Sequence, residues 1–403
     1  MRRLVPLAAL IGALPLVLAG CGGGSGGGGG GGDQGSGPIM IGQIASLTGN
    51  YTPLGTNDKL GAAQAVKEVN DAGGLLGGRK LKIVVEDDKT EPDQAVIAFN
   101  DLVSKGAVAV VGSSFSNSSL AVIPNAQRQQ VPYVSTAAAD EQVEPVRSYA
   151  FMTPPTAGVV AEQLLRYFKA QGMTKMAVAY DTKSAFAQTG WKKMSQLAGK
   201  YGITFVDKET FETTATNFSP LLTHVRNSNA DGLMVWVTGA PGVIITKQFA
   251  SEHLDMPLVM SHAEASTLYT KPSGSAATGV IVASSLAVVG PELPDSKLKD
   301  TVMSMATPFQ KANGYYPPQF AFDGYGAVKL IAAAIKEAGS DDPTKIQQAL
   351  NSLTLLTPEG EYHYTSKDHA GLGVDQVAIT QVDSDGNFKP TDWSMKQLQS
   401  TLQ

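Results

Sequence analysis

Cysteine is nearly absent from this chain, which has one residue of that type, Cys21, in 403. No internal disulfide can form, so whatever folds must be held by burial alone. Long apolar stretches are also scarce. The run from Leu4 to Leu18 is interrupted by Pro6 and Pro15, and as a helix it would span only about 22 Å, short of the roughly 30 Å hydrocarbon core of a bilayer. A permanent membrane helix is not expected there. Basic residues are fewer than acidic ones, 31 against 36, and no basic patch suits nucleic acid. No period of twenty to fifty residues marks a solenoid. Catalytic signatures are missing as well. His262-Ala263-Glu264 is followed by no Cys-x-x-Cys of the kind a zinc deaminase needs. No phosphate-binding Gly-x-x-x-x-Gly-Lys-Ser/Thr loop occurs. The five histidines show no order that identifies a general base. The expectation is a non-enzymatic protein with no cofactor and no metal.

What is present begins with a leader. Arg2 and Arg3 precede the apolar run, which ends in the small residues Ala19 and Gly20, the layout of an export signal over 1–20. Leu18-Ala19-Gly20-Cys21 resembles the lipobox of bacterial lipoproteins. The resemblance implies cleavage before Cys21 and lipidation of its sulfur; an ordinary signal peptide with an incidental cysteine is the other reading. The segment 21–38 is rich in glycine, a flexible coil whose typical reach is roughly 20 to 25 Å. Such a tether would hold a folded body clear of a membrane, on its outer side. With the leader gone, 29 of the 31 basic residues remain, and the mature chain is mildly acidic.

From residue 39 onward, short apolar strands alternate with amphipathic helices, which predicts an α/β architecture with parallel sheets. Strands are expected at Ile39 to Leu47, Leu81 to Glu86, Ala107 to Gly112 and Pro132 to Ser135, with helices at Asn57 to Asn70, Pro92 to Lys105 and Ser118 to Gln130. A second set starts near Gly158, with strands at Met176 to Tyr180, Ile203 to Asp207, Gly232 to Val237, Leu258 to Ser261 and after Gly279. A long helix is expected at Ala321 to Ala338 and a shorter one at Pro343 to Ser352, and an alternating stretch turns at Ser384 to Asn387. The length suits two domains. No polar linker separates the two sets, as expected if the chain crosses between them more than once.

Ligands collect at the carboxyl ends of parallel strands. There, Val108 to Gly112 runs into Ser113-Ser114-Phe115-Ser116-Asn117-Ser118-Ser119 and opens a helix. Hydroxyls and free amides at a helix start suit an anion such as a carboxylate. One of these serines is expected to cap the helix. The serines lack the Gly-x-Ser-x-Gly context of a nucleophile elbow. Thr136-Ala137-Ala138-Ala139-Asp140 follows the next strand, with small residues that let a ligand approach the backbone.

The order of Ile41-Gly42, Leu47-Thr48-Gly49, Val66 to Asn70, Gly73-Gly74, Val85 to Asp88, Pro92 to Ala95, Val111-Gly112 and Pro132 to Ser135 resembles the periplasmic branched-chain amino-acid binding proteins of ABC transporters. The resemblance runs from residue 39 to the end. It implies two Rossmann-like lobes joined by a three-crossover hinge (periplasmic binding protein type I). Lobe one would be 39–157 plus 286–373, and lobe two 158–285 plus 374–403. It also implies a monomer that captures a small carboxylate in the cleft, either an amino acid or an aromatic or aliphatic acid, and delivers it to a permease. A sensory module presenting its ligand to a receptor remains the alternative, and a secreted hydrolase a distant third.

Carried onto this chain, the family's carboxylate-binding serine falls on Ser116, beside Asn117, and its small backbone contributor on Ala137. Its ligand-contacting threonine is replaced by Ala139. A first-loop aromatic falls on Leu54, with Tyr51 nearby, and a tyrosine on Phe186. Another tyrosine falls on Gly239. The acidic partner of a ligand ammonium falls in Ser261-His262-Ala263-Glu264, where either Glu264 or His262 would face the ligand. Phe320 aligns with an aromatic at the apolar end of the pocket. Together Phe115, Phe186 and Phe320 would form an apolar wall. Phe322 and Trp236 are expected in the core. A cysteine pair of some members falls on Thr90 and Phe115.

Overall fold

The computed structural model describes residues 37–402; the leader, Cys21 and most of the glycine tether lie outside them. Two separate parallel sheets form the frame. The first comprises β1 (Ile39–Ala45), β2 (Leu81–Asp87), β3 (Ala109–Val111), β4 (Tyr133–Ser135) and β5 (Ala150–Met152), in the order β2-β1-β3-β4-β5. The second starts with β6 (Lys175–Asp181), β7 (Thr204–Phe211), β8 (Gly232–Trp236), β9 (Leu258–Met260) and β10 (Ile281–Ser285). A small antiparallel hairpin follows, β11 (Thr354–Thr357) with β12 (Gly360–His363). Finally β13 (Val377–Val382) and β14 (Phe388–Pro390) join the second sheet antiparallel, giving β14-β13-β10-β9-β8-β6-β7.

Burial explains which strands the sequence made legible. All five residues of β8 are buried, as they must be where helices cover both faces. The edge strand β7 instead alternates exposed with half-buried positions. The turn before β14 forms because the Asp383 carboxylate accepts the amides of Asp385 and Asn387 at 2.9 and 2.8 Å. Several elements escape the sequence patterns: three-residue β5, four-residue β11 and β12, the helix Lys297–Asn313 with Pro308 inside it, and the final helix Asp392–Thr401. The first helix begins at Thr52, five residues ahead of its expected start, with Pro53 in the first turn, where a missing N–H costs nothing.

The chain passes from the first sheet to the second after β5, leaves it after β10, and returns before β13. In between, the helix Gln319–Ala338 packs against the first sheet's helix Thr52–Asp71. Glycine sets that distance. A methyl group at Gly61 would overlap the Ala321 carbonyl, and one at Gly324 would overlap the Asp58 carbonyl. The backbones therefore approach as only glycine allows, which brings residues 58 and 323 to one place.

Candidate functional site

A cavity lies where the strands of both sheets end. Counting the space open at its mouth, it has a volume of about 420 Å³. The segments after β1, β3 and β4 supply Tyr51, Leu54, Ser114, Phe115, Ser116, Thr136, Ala137 and Ala138. From the other sheet come Ser184 and Phe186 after β6, Thr238 after β8, and His262 with Ala263 after β9. Gln319, Phe320 and Asp323 complete it from the first turns of the long helix.

On the first-sheet side the helix Ser116–Gln129 starts at the cavity. The expected serine cap is absent: Phe115 occupies the N-cap position and no side chain caps the helix. Ser113 is diverted instead, donating to Asp88 Oδ2 at 2.6 Å and accepting the Phe115 amide at 3.1 Å. Ser116 is therefore the first helical residue, 4% exposed, beside amides of the first turn that have no intrahelical acceptor. Such an end is electrostatically suited to an anion. Phe115 packs on Tyr51 at 4.9 Å between ring centroids, and Tyr51, Leu54 and Phe320 form one apolar cluster beside it. Thr90 ties the first loop by hydrogen bond, donating to the Thr48 carbonyl at 2.8 Å.

The second-sheet side is aromatic. Phe186 meets Trp236 and His262 edge-on, at 5.6 and 5.2 Å. Trp236 is fully buried core, as is Phe322. Burial pushes the His262 imidazole down to about 3, so the ring is neutral near pH 7.

Of the residues singled out in the sequence, Tyr51, Leu54, Ser116, Ala137, Phe186, His262 and Phe320 line the cavity. Three do not. Ala139 is buried beneath it, its carbonyl accepting from Gln142 Nε2 at 3.0 Å. Asn117 points across to the segment after β6, donating to the Lys183 carbonyl at 3.0 Å and accepting the Ala185 amide at 2.9 Å. Glu264 turns away and accepts the Gly239 amide at 2.6 Å, on the wall of a neighbouring apolar cavity lined by Val243, Ile244 and Leu268. Burial pushes its carboxyl up to about 8. Between the two candidates of that turn, the lining residue is thus His262.

A sequence profile described as periplasmic binding protein matches residues 38–387. This chain belongs to the periplasmic binding protein family. Members are non-catalytic solute-binding proteins with the α/β two-lobe, type I fold. Among the family, the chain is 28% identical over 316 residues to the Leu/Ile/Val-binding protein homolog 3 of Brucella melitensis, covering 78% of this chain and 83% of that one. It is similar in fold to the substrate-binding protein LivJ of Streptococcus pneumoniae, solved with isoleucine, at TM-score 0.78 and 22% identity over 87% of this chain and 98% of that one. A solute-binding protein of R. palustris, solved with benzoate, gives TM-score 0.75 and 18% identity over 88% and 95%.

In this periplasmic binding protein, the sequence reading missed the polar floor. Asp58 is fully buried and accepts Ser114 Oγ at 2.6 Å and Thr136 Oγ1 at 2.5 Å. Asp323 lies beside it, 1% exposed, and shares a side-chain hydrogen bond with the buried Glu359. The only signal for Asp323 is an acid flanked by Phe322 and Gly324 inside an apolar helix, which reads as a solvated position until the helix is placed.

Proposed function

We propose that this chain is the solute-binding lipoprotein of an ABC importer, taking up a small carboxylate in the cleft and presenting it to a permease. Ser116 carries the reading: a buried hydroxyl on the first residue of an uncapped helix, in the cavity wall, with free amides alongside. The carboxylate end lies there, supported by Ala137. Tyr51, Leu54 and Phe320 flank the apolar part from the first lobe, and Phe186 with His262 closes over it from the second. Lobe one comprises 39–157 plus 286–373 and lobe two 158–285 plus 374–403. A ligand holds such lobes shut only through contacts made in the closed form. Isoleucine and benzoate, bound by the two related structures, are both carboxylates with a compact apolar group, and this wall suits either. Cys21 carries lipid, and the glycine tether keeps the cleft off the membrane.

Native mass spectrometry of the purified protein should reveal a bound acid, and deleting the gene should abolish uptake of that acid. Retained uptake would reassign the protein to sensing. In Cys21→Ser the protein should bind ligand as before but leave the membrane fraction; persistent membrane association would remove the lipid anchor from this account.

A further inference from the structure

The apolar cavity walled by Glu264 has about 770 Å³, counting the space open at its mouth. Asn50 and Pro53 line it from the first loop and helix start, Val243 and Ile244 from the helix Ala240–Ser251, and Leu268 from the helix Thr267–Ser273. Leu54, Ala263 and Phe320 line this cavity and the first one alike, so the two spaces share a wall. That wall is thin. Leu54 and Phe320 belong with Tyr51 to a small apolar cluster outside the three larger cores, and Ala263 contributes only a methyl group. At Gly239 the wall has no side chain at all. Its φ of +79° favours glycine, and a methyl group there would meet nothing nearer than the Tyr51 ring, 4.0 Å away. Gly239 lines the second cavity and Tyr51 the first, so the cavities face each other past this residue.

The second cavity suits an uncharged, apolar occupant. Among the described residues, no lysine, arginine or histidine lines it. The Tyr269 hydroxyl is spent on Thr246 at 2.8 Å, since Thr246 gives its own hydrogen to the Gly242 carbonyl. Ser266 caps its helix by accepting the Leu268 amide. Glu264 takes the Gly239 amide, and burial pushes its carboxyl up to about 8, which keeps it neutral near pH 7. Val243 and Ile244 are only half-buried, and Leu268 is 37% exposed, which leaves apolar area for a ligand to cover. We infer that the cleft extends past Gly239 into this second cavity, so that the protein takes a monocarboxylate with an extended apolar chain, its carboxylate at Ser116 and its tail against Ile244. This rests on the carboxylate reading above and extends it from compact acids to long ones. A second carboxylate at the far end of the chain would be buried there without a cation and is therefore excluded.

The test is a calorimetric series of straight-chain acids from pentanoate to decanoate, with isoleucine and benzoate as compact probes and suberate as a dicarboxylate. Burial of one methylene strengthens binding about fourfold, so decanoate should bind a hundredfold or more tighter than pentanoate, and octanoate at least tenfold tighter than suberate. Ile244→Trp, or Val243→Phe if the first fails to fold by its melting transition, fills the second cavity. Either should erase the gain with chain length while leaving pentanoate and the compact probes unchanged. Ser116→Ala should weaken pentanoate and decanoate by the same factor. Affinity that stops rising at hexanoate would overturn the inference, as would a decanoate advantage that survives the filled cavity or decanoate binding indifferent to Ser116. If isoleucine or benzoate binds through Ser116 while the long acids do not bind, only the extension falls; if no carboxylate binds, the carboxylate reading falls with it.

Discussion

The two walls of the cleft are built from different materials. The first-sheet wall sets a helix N-terminus, the hydroxyls of Ser114, Ser116 and Thr136 and a buried acid beside its apolar cluster; the second-sheet wall has Phe186 on Trp236 and an uncharged His262, with only the hydroxyls of Ser184 and Thr238. Polar groups specify orientation, because a buried donor or acceptor left unpaired costs about 1 to 3 kcal/mol. Apolar groups reward closure, since excluding water from rings is largely non-directional. On the proposed binding mode, the asymmetry gives recognition to one wall and retention to the other.

Replacing the recognition wall should cost most. On the proposed binding mode Ser116→Ala removes a hydrogen bond to a charged group, worth roughly 1.5 to 3 kcal/mol, so calorimetry should show binding weakened tenfold or more. An unchanged affinity would erase the contrast between the walls. Phe186→Ala should weaken binding less, by about threefold to tenfold, and stopped-flow should place the loss in faster ligand release, because the ring acts after capture. If association slows instead, the second wall recognises as well as retains. Asn117→Ala cuts the two hydrogen bonds that join the walls at Lys183 and Ala185. With about 1 kcal/mol per bond at most, small-angle scattering should show a shift toward open forms while affinity falls only a few-fold.

The smallest effect is on stability. Burial raises Glu264 to about 8, so the folded protein holds a proton there that the unfolded chain has released above its ordinary range near 4.5. Folded stability is then lost as pH rises toward 8. His262, lowered to about 3, contributes in the opposite sense only below about 6.5, so between pH 6.5 and 8 Glu264 acts together with Asp58 and Glu359, which burial pushes up to about 7 and about 8. Melting temperature should fall across that window, and Glu264→Gln should make the fall shallower without abolishing it and without altering ligand affinity.

The alternation of helices and strands was readable because doubly covered strands such as β8 must be apolar throughout and helices must show a stripe. Edge and hairpin strands of three or four residues, β5, β11 and β12, carry too little pattern to declare themselves. At the site, the stretch containing Ser116 was readable as a strand end opening a helix. Ser113, by contrast, looked like a cap and proved to be a tether for Asp88. Glu264 and Asn117 stood in promising loops, yet side-chain direction sent one to Gly239 and the other across the cleft.

The sequence alone determined the two α/β sets, their repeated crossing and the hydroxyl-rich helix start, because periodicity and glycine placement are local properties of the chain. Only the tertiary structure decided which side chains share the cavity. Asp58 and Asp323 are far apart in the chain, and they meet because Gly61 and Gly324 let two helices come closer than any side chain would permit.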